Sequence, residues 1–129
     1  MNGRFLLDTN IVIAIFSKEA KVQAYLVNAT EVFVPAVVLG ELYYGAYKSS
    51  RVTENIAKID GFAAKNAVLI SDATTAKAYG QIKNGLRAKG RPIPENDIWI
   101  AATAMQYNLT LVTRDSHFGE VDGLVIETW

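Results

Sequence analysis

Arg4-Phe5-Leu6-Leu7 is a short apolar run that ends on a carboxylate, Asp8; two small polar residues, Thr9 and Asn10, follow, and Ile11 to Phe16 is apolar again. The first run is short and apolar enough to be a strand buried on both faces, and the second continues at helical length. Thr9 and Asn10 are good N-cap residues for that helix. A strand passing into a helix here sets Asp8 at the strand's carboxyl end, where open parallel α/β sheets hold their ligands. A charge at that spot, in so apolar a segment, needs a chemical reason.

The rest of the chain alternates in the same way. Glu19 to Ala29 reads as a helix and Glu31 to Val34 as a β-branched and aromatic strand, after which Pro35 opens a helix over Ala36 to Tyr47. Thr53 to Ala64 is amphipathic, with Ile56, Ile59 and Phe62 inward, and Ala67 to Ile70 is a strand. Ser71 or Asp72 caps a long helix to about Ala88 whose buried stripe is Ala76, Tyr79, Ile82 and Leu86. Gly90, Pro92 and Pro94 break it, and Glu95-Asn96 caps a helix over Asp97 to Tyr107 that ends at Asn108. Leu109 to Thr113 and Leu124 to Ile126 are the last strands, joined by a turn-rich loop containing Gly119 and Gly123. Strands alternating with helices predict one α/β domain over residues 1–129, with a parallel-type central sheet covered by helices on both faces.

Three other carboxylates stand out as Asp8 does. Glu41 is the only charge in its helix before Lys48 and shares a face with Val38, Leu42 and Gly45; Asp97 lies on a face with Ile100, Ala101 and Ala104; Asp115 follows a strand, repeating the position of Asp8. Burying such groups uncompensated costs several kcal/mol and raises their pKa, roughly the penalty for any unpaired buried charge. No lysine or arginine lies within helical reach of Glu41 or Asp97. A divalent cation resolves the conflict: an all-oxygen cluster suits Mg2+ or Mn2+, which also promote attack of water on a phosphodiester. The chain has no cysteine, which excludes disulfides and thiolate metal sites and allows a reducing compartment. No stretch reaches the roughly 18 uninterrupted apolar residues of a spanning helix. A cytoplasmic protein is expected.

Thirteen basic and thirteen acidic residues cancel, so net charge points to no partner, yet the distribution is uneven. Lys77, Lys83, Arg87, Lys89 and Arg91 fall together with no acid between Asp72 and Glu95, forming the one basic patch.

Leu-Asp-Thr-Asn at 7–10, Gly-Glu-Leu-Tyr-Tyr-Gly at 40–45, Asn-Asp-Ile-Trp-Ile-Ala-Ala at 96–102 and Leu-Val-Thr-Arg-Asp-Ser-His-Phe at 111–118 together resemble PIN-domain ribonucleases. The closing Val-Asp-Gly-Leu-Val-Ile-Glu-Thr-Trp is similar to the VapC toxin branch. The resemblance covers the whole chain, in order and at the expected spacings. It implies a Mg2+- or Mn2+-dependent endoribonuclease acting on RNA, paired with a VapB-type antitoxin and commonly a homodimer. Position by position, Asp8, Glu41 and Asp97 match the family's three most typical acids, and Asp115 its fourth, more variable one. Asp8 and Asp97 are thereby expected as direct metal ligands, with Glu41 acting through water or orienting the attacking water. Thr9, Asn10 and Thr113 are expected to support the ligands or to contact phosphate, or simply to cap and bond strand ends. Lys83, Arg87, Lys89 and Arg91 are candidates for holding an RNA backbone without sequence choice. Tyr43, Tyr44 and Tyr47 serve the core, a dimer contact or an antitoxin groove. His117 is the only histidine; it is expected to anchor its loop rather than act in catalysis, and Glu95 to be a helix cap.

Other functions fit the same fold. A receiver-type phosphorylation switch needs an acidic pair after the first strand and a lysine ending a late one; Asp8 has no acidic neighbour and no lysine follows Lys89. A catalytically silent RNA- or protein-binding module, a metal-dependent phosphatase and a DNA nuclease are the remaining alternatives.

Overall fold

The computed structural model describes residues 3–129. Five strands form one parallel sheet: β1 (Arg4–Leu7), β2 (Glu31–Pro35), β3 (Ala67–Leu69), β4 (Thr110–Val112) and β5 (Ile126–Glu127), in the spatial order β3-β2-β1-β4-β5. Six helices connect them: α1 (Thr9–Phe16), α2 (Ala20–Asn28), α3 (Ala36–Tyr47), α4 (Val52–Lys65), α5 (Ala73–Lys89) and α6 (Glu95–Gln106). A 3₁₀ helix, Ser116–Glu120, lies between β4 and β5, where only a turn-rich loop was expected.

The central strand is β1, with Leu6 paired to Phe33 of β2 and to Leu111 of β4. Leu6 and Leu7 are fully buried, as a strand flanked on both edges and covered on both faces requires. Ile11, Val12, Val34, Val38, Ile100, Leu111 and Val112 join them in the core, each burial stabilising by about 1.5–3 kcal/mol. Chain order runs outward from β1 to β2 and β3, then crosses back to β4 and β5. The order in which strands are added therefore reverses at β1, the arrangement that opens a crevice at the carboxyl ends of β1 and β4.

The caps depart from expectation in an instructive way. Asp8 itself, not Thr9 or Asn10, is the N-cap of α1, its Oδ1 accepting from the Thr9 amide at 2.8 Å. Pro94, not Glu95-Asn96, precedes α6 and offers no side-chain cap; Pro35, expected to open α3, instead ends β2 and stands at the N-cap of α3. Asp72 does cap α5, through a capping box with Thr75. Gly90 closes that helix in the left-handed conformation, φ 69°, with its amide reaching back to the Leu86 and Arg87 carbonyls. Ala76 is exposed, and the inward stripe of α5 instead runs from Thr75 through Tyr79 and Ile82 to Leu86. Thr75 can be buried because its hydroxyl is shared between Asp72 and Gln106 of α6.

Helix α6 packs against both α5 and α3. Ile98, Ile100, Ala101, Ala102 and Ala104 are all buried, and the small alanines let neighbouring backbones approach. Met105, near its end, is 40% exposed and lies outside the core. Trp129 is buried against Phe5, edge-on at 5.1 Å, and is stacked by Tyr25. Among the described residues no helix is long and apolar enough to cross a membrane.

Candidate metal centre

The end of β1 turns Asp8 into a buried position, 2% exposed, and local structure fixes both of its oxygens. Oδ1 takes the Thr9 amide, while Oδ2 takes the Thr113 hydroxyl at 2.7 Å and, at 3.4 Å, the Asn10 amide. The Thr113 hydroxyl in turn accepts the Asp115 backbone amide at 3.0 Å, and the Asn10 side-chain Oδ1 accepts the Arg114 backbone amide. Thr9 turns its hydroxyl the other way, donating to Glu41 Oε1 at 2.7 Å. Thr9, Asn10 and Thr113 thus tie the strand ends to the carboxylates.

Glu41 projects from the second turn of α3, and Asp97 from the first turn of α6. Asp97 is 8% exposed. A shallow cleft brings Glu41, Asp97, Asp115 and His117 together beside Glu95 and Asn96, and one donor atom each from Asp97, Asp115 and His117 lie within 4.8 Å of one another. Asp8 does not line this cleft but lies close enough that its charge and those of Asp97 and Asp115 repel. Asp115 is exposed, so its likeness to Asp8 in sequence does not extend to burial: it stands beyond the end of β4 and lies on the rim.

Burial pushes the carboxyl groups of Asp8 and Asp97 up from the ordinary range. For Asp8 the hydrogen bonds from Thr113 and Thr9 oppose the rise; for Asp97 His117 opposes it, while Glu41 and Asp115 add to it by repulsion. Among the described residues no lysine or arginine pairs with Asp8, Glu41, Asp97 or Asp115. Arg114 lies between Thr113 and Asp115 in sequence, yet its guanidinium goes to Glu19 and to the Trp129 carbonyl. Converging hard oxygen donors, two of them desolvated and none paired with a lysine or arginine among the described residues, are a donor set that suits a divalent ion. The residues fit such an ion.

His117 is the member that sequence reasoning set aside. It was expected only to anchor its loop, but its Nε2 lies 2.5 Å from Asp97 Oδ2. Glu95 sits at the cleft edge and is no cap; its carboxylate binds Lys83 at 2.5 Å and the Tyr79 hydroxyl.

The basic patch is largely spent in ion pairs. Lys83 meets Glu95; Lys89 meets Asp122 at 2.9 Å and the Glu120 carbonyl at 2.6 Å; Arg91 approaches Glu120 at 3.9 Å. Arg87 alone of the four candidates has no ion-pair partner among the described residues. Of the three tyrosines on α3, Tyr43 donates to Asp60, whereas Tyr44 and Tyr47 are about two-thirds exposed, at 65% and 67%.

The PIN domain family matches residues 5–124, a span that includes all four acids. The chain is 40% identical over 129 residues to the tRNA(fMet)-specific endonuclease VapC of Shigella flexneri, covering 98% of each. It is 36% identical to ribonuclease VapC2 of Haemophilus influenzae, again over 98% of each. Among solved structures it is similar to DNA-bound VapBC from Salmonella typhimurium, with a TM-score of 0.90 at 33% identity, covering 100% of this chain and 99% of that one. It is also similar to VapBC2 from Rickettsia felis bound to a promoter DNA fragment, with a TM-score of 0.89 at 31% identity and coverage of 97% and 98%.

Proposed function

The chain belongs to the PIN-domain family, and from that premise we propose that it is a metal-dependent endoribonuclease, the VapC-type toxin of a toxin–antitoxin pair, which hydrolyses RNA phosphodiester bonds and is held by a VapB-type antitoxin. The observation that carries this reading is the gathering of four carboxylates at the switch point of the sheet, Asp8 and Asp97 desolvated and none of the four paired with a lysine or arginine among the described residues.

In this reading the catalytic domain is the whole of residues 1–129 and the ion is Mg2+ or Mn2+. Asp8 and Asp97 hold it directly, Asp115 from the rim, and Glu41 through water. When bound, the ion lowers the pKa of a water and screens the charge of the scissile phosphate. The chain's own residues do the positioning. Thr113, Thr9 and Asn10 fix the Asp8 carboxylate by the bonds described above, so it needs no reorganisation when substrate arrives. Glu41, steadied by the Thr9 hydroxyl, accepts a hydrogen bond from the attacking water and orients it. Arg87 supplies the backbone contact to RNA that the paired Lys83, Lys89 and Arg91 supply less strongly.

A groove between α1, α3 and α4, lined by Ile13, Phe16, Leu42, Ala46 and Ile59, reaches Thr9 and Glu41 at one end. We assign the antitoxin contact to this groove, because an apolar segment seated there ends against the acids. The assigned compartment is the cytoplasm, where the RNA substrate is.

The test is cleavage of total cellular RNA by the purified, antitoxin-free protein with Mg2+ or Mn2+ and with EDTA, beside Asp97→Asn. Cutting that requires metal and is lost in the variant supports the assignment. A folded wild type that leaves several RNAs intact in both metals overturns it.

A further inference from the structure

We propose that His117 is a positioning residue of the metal centre, whose Nε2 holds one oxygen of Asp97 so that the other is presented to the ion. The two buried acids are supported very differently. Asp8 receives hydrogen bonds from Thr9, Asn10 and Thr113, whereas the Asp97 side chain has one hydrogen-bond partner among the described residues, His117 at 2.5 Å on Oδ2. Among the described residues, no hydrogen bond reaches Oδ1 of Asp97. Among the described residues, His117 is the group whose hydrogen bond sets the rotation of that carboxylate.

The imidazole is itself held in place. It rides on the 3₁₀ helix, whose next residue, Phe118, is fully buried, with Val121 close behind at 5%. Lys89, from the far end of α5, clamps the same segment through the Glu120 carbonyl and Asp122. A rigid donor on a ligating carboxylate is the arrangement by which outer groups orient a ligand, and losing such a donor typically weakens metal binding 10- to 100-fold.

This inference rests on the metal centre assigned above, and its test is binding of Mn2+ alone to the purified full chain, followed by electron paramagnetic resonance. Wild type is expected to bind Mn2+ without ¹⁴N coupling, because His117 faces the carboxylate rather than the ion. His117→Phe is expected to weaken binding about 10- to 100-fold in a chain that still folds without metal; His117→Ala carries the same expectation without the added volume. His117→Gln, which keeps a donor, is expected to recover most of the affinity. Wild type that binds no Mn2+ overturns the metal centre itself. Wild-type binding that His117→Phe and His117→Ala leave unchanged, or that His117→Gln fails to restore, overturns the positioning role alone, as does ¹⁴N coupling, which makes His117 a ligand.

Discussion

The Thr113 hydroxyl donates to Asp8 Oδ2 at 2.7 Å across 105 residues of chain, joining the end of β4 to the end of β1. Both groups are buried, at 1% and 2% exposure, so the bond is made where water cannot replace it. Thr113→Val keeps the shape and removes the donor, and it also takes the acceptor from the Asp115 amide. Denaturant unfolding in EDTA should show a loss of about 1–3 kcal/mol, the usual cost of stranding a buried polar group.

Asp97→Asn should invert its rank against wild type when metal is added. Burial is the main influence raising the Asp97 pKa, and repulsion from Glu41 and Asp115 adds to it, so removing the charge should raise the metal-free Tm. Wild type should gain about 2.7 kcal/mol in Mn2+ at a hundred times its Kd, and the variant much less. Thermal melts with EDTA and with Mn2+ check this; a variant less stable in both would contradict it.

Asp72 governs an acid-sensitive helix start. The Thr75 amide, then Gln106 and the Thr75 hydroxyl, hold its carboxyl below the ordinary 3.8. Its stabilising contribution is therefore fully present above that value and disappears as the pH falls through the lowered one. Asp72→Ala should lower the Tm at neutral pH, with the gap to wild type closing only under strongly acidic conditions. Melts across the acid range would measure the gap.

Lys89→Met should loosen the segment that carries His117 while leaving global stability within about 1 kcal/mol, as for other partly exposed ion pairs. Hydrogen exchange at residues 116–122 should accelerate, and the rest of the core should not change. Uniform acceleration would mean that Lys89 has no local role.

Arg87→Gln should weaken RNA binding across sequences and reduce the salt slope by about one ion, whereas Lys83→Gln, already neutralised by Glu95, should change the slope little. Filter binding at several salt concentrations separates the two. Equal effects would restore the continuous basic patch that the linear sequence suggests.

The sheet and three of the acids were legible because burial penalises an isolated charge: Asp8, Glu41 and Asp97 each interrupt an apolar stretch that would be cheaper without them, whereas Asp115, exposed on the rim, was suggested only by its place after a strand. What remained hidden depends on partners distant in sequence. His117 meets Asp97 from 20 residues away on a helix with no strong periodic signal, and Lys89 finds Glu120 and Asp122 beyond 30 residues. The apparent freedom of the basic patch was a property of its neighbours in the chain, not of its neighbours in space. Asp8 as its own helix's cap was missed for a related reason: Thr9 and Asn10 have good capping side chains, but the bonds that use them go to Glu41 and Asp8.

The sheet order also governs the sequence in which the acidic cleft can assemble. During synthesis β1, β2 and β3 can pair while β4 is still unmade, giving half a sheet that carries Asp8 and Glu41. Thr113, Asp115 and His117 arrive only with β4 and the 3₁₀ helix. A chain that stops short of β4 therefore cannot make the bond that fixes Asp8 Oδ2, nor bring Asp115 and His117 to Asp97.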